Sequence, residues 1–178
     1  MKRTFLLSAI AFVAFLGPAG ASDVTTAVHR WMGKWPALPF NQQPSLDWQK
    51  SFPKPQASDS TDRRTFWGFP GTRAAFEQAV GKPRAALLIG KWHTGGPLVM
   101  VDKRWASFNA CMPHDCGANH AFVFVDTVNG RFNACWNEVS PEGTRQDYWL
   151  APNQKRVPLA ADGCDGSDLT GLVANYAR

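Results

Sequence analysis

The stretch that most restricts what this chain can become is Cys111-Met112-Pro113-His114-Asp115-Cys116. Its two cysteines bracket a proline, a histidine and an aspartate, and if the sulfurs join they close a small ring with the imidazole at its tip. Alternating apolar segments lie on either side, residues 105–110 before and 120–128 after. That is the pattern of two β-strands. The expectation is a rigid, solvent-facing loop whose base is fixed by the strands it connects.

Whether those sulfurs join depends on the compartment. Lys2 and Arg3 make a positive start, residues 5–16 an apolar stretch, and Ala19-Gly20-Ala21 a small-x-small cleavage site, together the pattern of a signal peptide. The apolar stretch is about a dozen residues, short of the ~20 that a spanning helix needs. Residues 1–21 are therefore expected to be a leader that exports residues 22–178, with no membrane attachment after cleavage. In an oxidising compartment four cysteines read as two disulfides with three possible pairings. The pairing expected here is Cys111–Cys116 with Cys135–Cys164. On the chain-entropy account the short ring is worth roughly 2 kcal/mol and the long one roughly 3–4 kcal/mol, so the long bridge serves the fold and the short one the shape of the tip.

Loss of Lys2 and Arg3 with the leader lowers the formal charge by two, from +5 to +3. A mildly basic domain without a run of lysine and arginine interleaved with aromatics is a poor nucleic-acid binder.

Residues 23–34 carry Val24, Val28, Trp31 and Met32, with Trp35 following, at the spacing of one helical face, with Ser22 or Asp23 as N-cap. Residues 36–70 are rich in proline and aromatics, which forbids long helices and inner strands and predicts a segment wrapped over the core. Residues 22–70 thus form an N-terminal helix plus wrapping segment, and residues 71–178 an α+β domain. In that domain residues 72–81 predict a helix with Thr72 as cap, Gly81 at its end and Pro83 barring continuation. The apolar run 85–92 reads as a strand. Residues 98–101 and 105–110 form a hairpin around Asp102-Lys103, and residues 121–128 meet 131–137 across Asn129-Gly130. A short strand at 148–150 follows, then a helix with Leu169, Leu172, Val173 and Tyr176 behind a Ser167 or Asp168 cap. The sum is an antiparallel sheet of about five strands flanked by helices, with the closed loop protruding.

Three kinds of chemistry compete for these residues. Cys111, His114, Cys116 and His120 are four zinc-ligand types within ten residues, but the spacing is too tight for paired knuckles and an oxidised pair cannot ligate. Redox catalysis needs Cys-x-x-Cys at a helix N-terminus; here four residues intervene and the flanks are strands. Hydrolysis needs converging carboxylates, whereas Asp102, Asp115, Asp126, Glu138 and Asp147 fall at turns and strand ends without a motif. His29 and His93 read as incidental, and His120 as a support for the loop's base. The expectation is a protein without catalysis, cofactor or metal.

Recognition by shape remains. Cys-x-Pro-His-Asp-Cys, followed by Gly117 and an alternating strand, resembles the signature loop of the inhibitor-of-vertebrate-lysozyme (Ivy) family. The resemblance extends upstream through Thr-Arg-Ala-Ala-Phe-Glu-Gln-Ala-Val of residues 72–80 and downstream through the hairpin, about residues 71–140 in all. It implies a periplasmic inhibitor that pushes residues 111–116 into the cleft of c-type lysozyme, with His114 between the target's catalytic glutamate and aspartate. It implies a target-contact or ring-orienting role for Asp115, and it places Met112 where strongly inhibiting members carry lysine. A bacterial lytic transglycosylase is the second target the family suggests. A small thiol or zinc enzyme is the reading of a different class.

Overall fold

Neighbouring side chains along a strand face opposite sides, so a strand apolar at nearly every position needs cover on both faces. The middle of this chain is of that kind. The computed structural model describes residues 18–34, 36, 66–69, 71–140, 142–153, 156–160 and 163–177. Most of the expected leader, together with Trp35, Phe40, Trp48 and Phe52, lies outside the described residues. In chain order the elements are α1 (Pro18–Trp31), α2 (Thr72–Val80), α3 (Lys82–Lys91), β1 (His93–Thr94), β2 (Val99–Met100), β3 (Trp105–Cys111), β4 (His120–Asp126), β5 (Phe132–Val139), β6 (Arg145–Leu150), β7 (Val157–Pro158) and α4 (Leu169–Tyr176).

Every strand pairing is antiparallel, in the order β1-β3-β4-β5-β6-β7, with β2 also on β3. The α+β expectation holds. The sheet has seven strands rather than about five: β2 falls within the expected strand at 98–101, whereas β1 and β7, two residues each along its margins, are additions. One face carries Phe108, Val123, Phe132, Trp136 and Tyr148 and is covered by Val24 and Val28 of α1, by Phe76 and Val80 of α2, by Leu88 of α3, and by Phe66 and Phe69. The opposite face carries Trp105, Phe124, Cys135 and Trp149 beneath Cys164 and Val173. Phe66 and Phe69 are buried in this layer, with Phe66 edge-on to Phe108 at 6.0 Å.

Several local readings change. Residues 85–92 are not a strand: residues 82–91 form α3, with Pro83 in its first turn and Ala85 and Leu88 buried on one face. Proline is preorganised for that position, Ala and Leu favour helix, and a short apolar run cannot by itself distinguish helix from strand. Gly81, at φ 85 and ψ 148, separates α2 from α3. Thr72 is buried inside α2, and Gly71 at φ 80 takes the N-cap instead. α1 starts at Pro18, which puts Ser22 and Asp23 inside it, and it ends at Trp31. There Met32 bridges to Leu98, and Gly33 N donates to the Leu98 carbonyl at 2.8 Å, drawing the chain out of the helix.

The Asn129-Gly130 turn is also wider than expected. Of the two, Gly130 alone has positive φ, and the hairpin closes through Asp126 N to the Arg131 carbonyl at 2.8 Å. Asp126 organises that turn, accepting from Val128 N and Asn129 N on Oδ1 and from Arg104 Nη2 at 2.6 Å on Oδ2. The last helix keeps its expected cap, Asp168 accepting from Gly171 N at 2.7 Å.

Burial alone would raise the Asp126 carboxyl, but the bonds from Arg104, Val128 and Asn129 outweigh it and hold the group below its ordinary value. A depressed carboxyl adds stability that is present above the unfolded value, near pH 3.9 for aspartate, and is lost as pH falls through the folded one. Asp126→Asn is expected to cost roughly 1–3 kcal/mol at neutral pH and to flatten the loss of stability below about pH 4; thermal melts across pH would show both. A parallel dependence in wild type and variant would remove Asp126 from the acid response.

The disulfides offer a second check. Cys135 and Cys164 are bonded across 29 positions in the interior, and Cys111 and Cys116 across 5. Replacing the long pair with alanines is expected to cost roughly 3–4 kcal/mol and replacing the short pair about 2 kcal/mol. Denaturant midpoints in the reverse order would refute the division of labour between them.

Candidate functional site

The loop is the connection between β3 and β4, and it is built as a turn inside a ring. Cys111 ends β3, buried, and its disulfide to Cys116 leaves the two Cα atoms 4.8 Å apart. Within the ring Asp115 N donates to the Met112 carbonyl at 3.0 Å, a β-turn with Pro113 second and His114 third. Proline at the second position and positive φ at the third mark a type II turn, where glycine is the usual third residue. Here the third residue is His114, at φ 65. For a residue with a Cβ that conformation costs about 1–2 kcal/mol, and such cost concentrates where a side chain has to be presented in one direction.

His114 and Cys116 are exposed, Pro113 and Asp115 half-buried, and Met112 is 46% exposed at the ring's edge. The neck is closed by Met112 N donating to the Asn119 carbonyl at 2.9 Å. Asp115 is used within the loop: its carbonyl accepts from Ala118 N and Asn119 N, and its Oδ2 accepts from Asn119 Nδ2 at 2.6 Å.

Beneath the loop, a row of residues crosses four strands in register: Cys111 opposite His120, His120 opposite Asn137, Asn137 opposite Asp147. This row, together with Cys135, holds Cys164 from three directions. His120 Nε2 is 2.6 Å from the Cys164 carbonyl, Asp147 Oδ2 accepts from Cys164 N at 3.1 Å, and the sulfur is bonded to Cys135. A carbonyl only accepts, so His120 carries its proton on Nε2. Asn137 Nδ2 donates to Asp147 Oδ1, and Arg145 Nε lies 3.5 Å from the same oxygen.

On the other face at this end of the sheet, Arg84 Nη2 bonds both oxygens of Glu138 at 3.2 Å, and the Tyr148 hydroxyl donates to Glu138 Oε1. Burial first, then the Glu138 carboxylate, pushes the Tyr148 hydroxyl up to about 12. Trp92 stacks on Trp136 at 4.7 Å beside them. These contacts brace the sheet below the loop.

The candidate carboxylates do not form an acid–base pair. Asp102 accepts from Arg104 N and Trp105 N in the β2–β3 turn, Asp126 is tied to Arg104, and Glu138 and Asp147 lie on opposite faces of the sheet. Asp115 stays within its loop. Among the described residues no cysteine is free, so Cys111 and Cys116 offer neither a thiolate to zinc nor a nucleophile. His29 is exposed on α1, and His93 stands in β1 opposite Cys111.

Two residues of this site were not assigned these parts by the sequence. Asn119 gave no signal, because an asparagine before a strand reads as an ordinary turn residue. The partner of His120 is 44 positions away, beyond the reach of any local pattern.

No match was found to a curated protein or to a solved structure. A family model does match, that of the Inhibitor of vertebrate lysozyme (Ivy), over residues 71–163, or 93 of the chain's 178. The match takes in α2, α3, the whole sheet and the loop bearing His114. Members of that family are protein inhibitors and not enzymes, and this chain, matched over more than half its length, belongs to the inhibitor of vertebrate lysozyme (Ivy) family.

Proposed function

We propose that the chain is a periplasmic protein that inhibits c-type lysozyme by inserting the closed loop, His114 foremost, into the catalytic cleft. The observation that carries this reading is His114 itself, exposed at φ 65 on the tip of a disulfide ring. Glycosidases of this kind work through two carboxyl groups roughly 5–9.5 Å apart. One imidazole fills such a gap, and in its protonated form both ring nitrogens donate, so each carboxyl group finds a partner. Met112 adds an apolar contact at the ring's edge. Because the turn, the disulfide and the neck are already formed, little conformational freedom is left to lose on binding.

Export through residues 1–21 belongs to the same proposal. Among the described residues the buried side chains of α1 are Val24, Ala27 and Val28, all beyond Ala21, so cleavage there would leave them in the chain. Residues 22–70 then serve as cover for the inhibitory domain of residues 71–178.

The test is a lysis assay with the purified protein against c-type, g-type and i-type lysozymes and bacterial lytic transglycosylases. Inhibition confined to c-type enzymes is the expected result. Inhibition of the transglycosylases alone would transfer the same loop to a bacterial target, and inhibition of none would overturn the reading.

His114→Ala is expected to weaken inhibition by about 2–4 kcal/mol, the range of an interface hot spot, with an unchanged circular dichroism spectrum. His114→Gly separates presentation from stability. Glycine removes the cost of positive φ and gives back part of the gain as chain entropy, so the variant should be more stable by about 0.5–1 kcal/mol while inhibiting as poorly as the alanine variant. A glycine variant that inhibits like wild type would exclude the imidazole from the contact.

A further inference from the structure

We infer that Asn119 is a positioning residue for His114, clamping the loop from outside the cysteine ring, and that the Asp115 side chain acts as the clamp's anchor rather than as a contact with the target. The inference rests on the loop being the inhibitory element. The disulfide closes residues 111–116 and leaves three residues, Gly117, Ala118 and Asn119, to return the chain to β4. Asn119 spans both sides of that return. Its carbonyl accepts from Met112 N, the first residue beyond β3, at 2.9 Å, and its N donates to the Asp115 carbonyl at 2.9 Å. Its side chain reaches Asp115 Oδ2 at 2.6 Å.

Asp115 is the residue after His114, and its N, its carbonyl and its carboxylate are all held inside the loop. A residue forced to positive φ returns to the ordinary basins unless both of its neighbours are held. Before His114 the proline ring fixes φ; after it, Asp115 is held by the Met112 carbonyl and Ala118 N and, at both its carbonyl and its carboxylate, by Asn119. The disulfide alone supplies neither, since a closed ring of this size still permits rotation at its tip.

The experiment uses the full mature protein with both disulfides intact and reads two quantities, amide hydrogen exchange and inhibition constant. Asn119→Ala is expected to speed exchange at Met112 and Asn119 at least tenfold and to weaken inhibition about tenfold, leaving exchange in β4 and β5 unchanged. Asn119→Asp, which sets two carboxylates against each other, should do the same or more. Adding Asp115→Asn to Asn119→Asp restores an amide-to-carboxylate bond with its ends exchanged, and both readings should return toward wild type. Unchanged exchange in Asn119→Ala overturns the clamp. Recovery of exchange without recovery of inhibition overturns the anchor role and makes Asp115 a target contact. If the wild-type protein inhibits no muralytic enzyme, the functional reading falls, and the exchange measurements still decide the clamp.

Discussion

The whole architecture hangs on how Cys164 is received. Its sulfur, amide and carbonyl are each engaged from the sheet, by Cys135, Asp147 and His120. Each bond fixes a different strand to the same point. His120 belongs to β4, Cys135 to β5 and Asp147 to β6, so the C-terminal segment is a strap across three strands rather than a tail lying on them. The polar atoms involved are largely buried, where an unmade hydrogen bond is expensive. That cost makes the arrangement all or none and brings α4 down over Phe124 and Trp149. The same row ends at Cys111, and the loop inherits the stiffness of its base.

Stiffness at the base and strain at the tip belong together. A histidine at positive φ is held there when the chain cannot relax on either side of it. The ring, the proline, and the bonds between residues 112, 115 and 119 are the means. For a protein that acts by occupying another enzyme's cleft, order that exists before contact lowers the cost of binding. A flexible loop with the same side chains would present the same chemistry with lower affinity.

Much of this was legible in the residues. The hairpin around Asp102, the strand beginning at His120 and the Asp168 cap follow from alternation and turn chemistry that act within a few positions. The run 85–92 did not, because Ala, Leu and Ile satisfy either element and the deciding feature, Pro83 in a first turn, reads equally well as a stop. Thr72 failed as a cap because the turn before it uses a glycine, leaving the hydroxyl in the core. The Asp147–Cys164–His120 arrangement was out of reach for a different reason. Its members are spread between positions 120 and 164, and only the register of four strands brings them together.

The margins of the sheet have their own consequence. On one side the outermost strands are β1 and β2, two residues each, and on the other β7, where Pro158 has no amide hydrogen to give. Open β-margins are where proteins recruit foreign strands, accidentally in aggregates and deliberately in complexes that extend a sheet. Among the described residues this sheet offers no long ladder for either. The molecule is thereby protected against polymerising through its own backbone, and its partnership is left to a surface that is read by side chains.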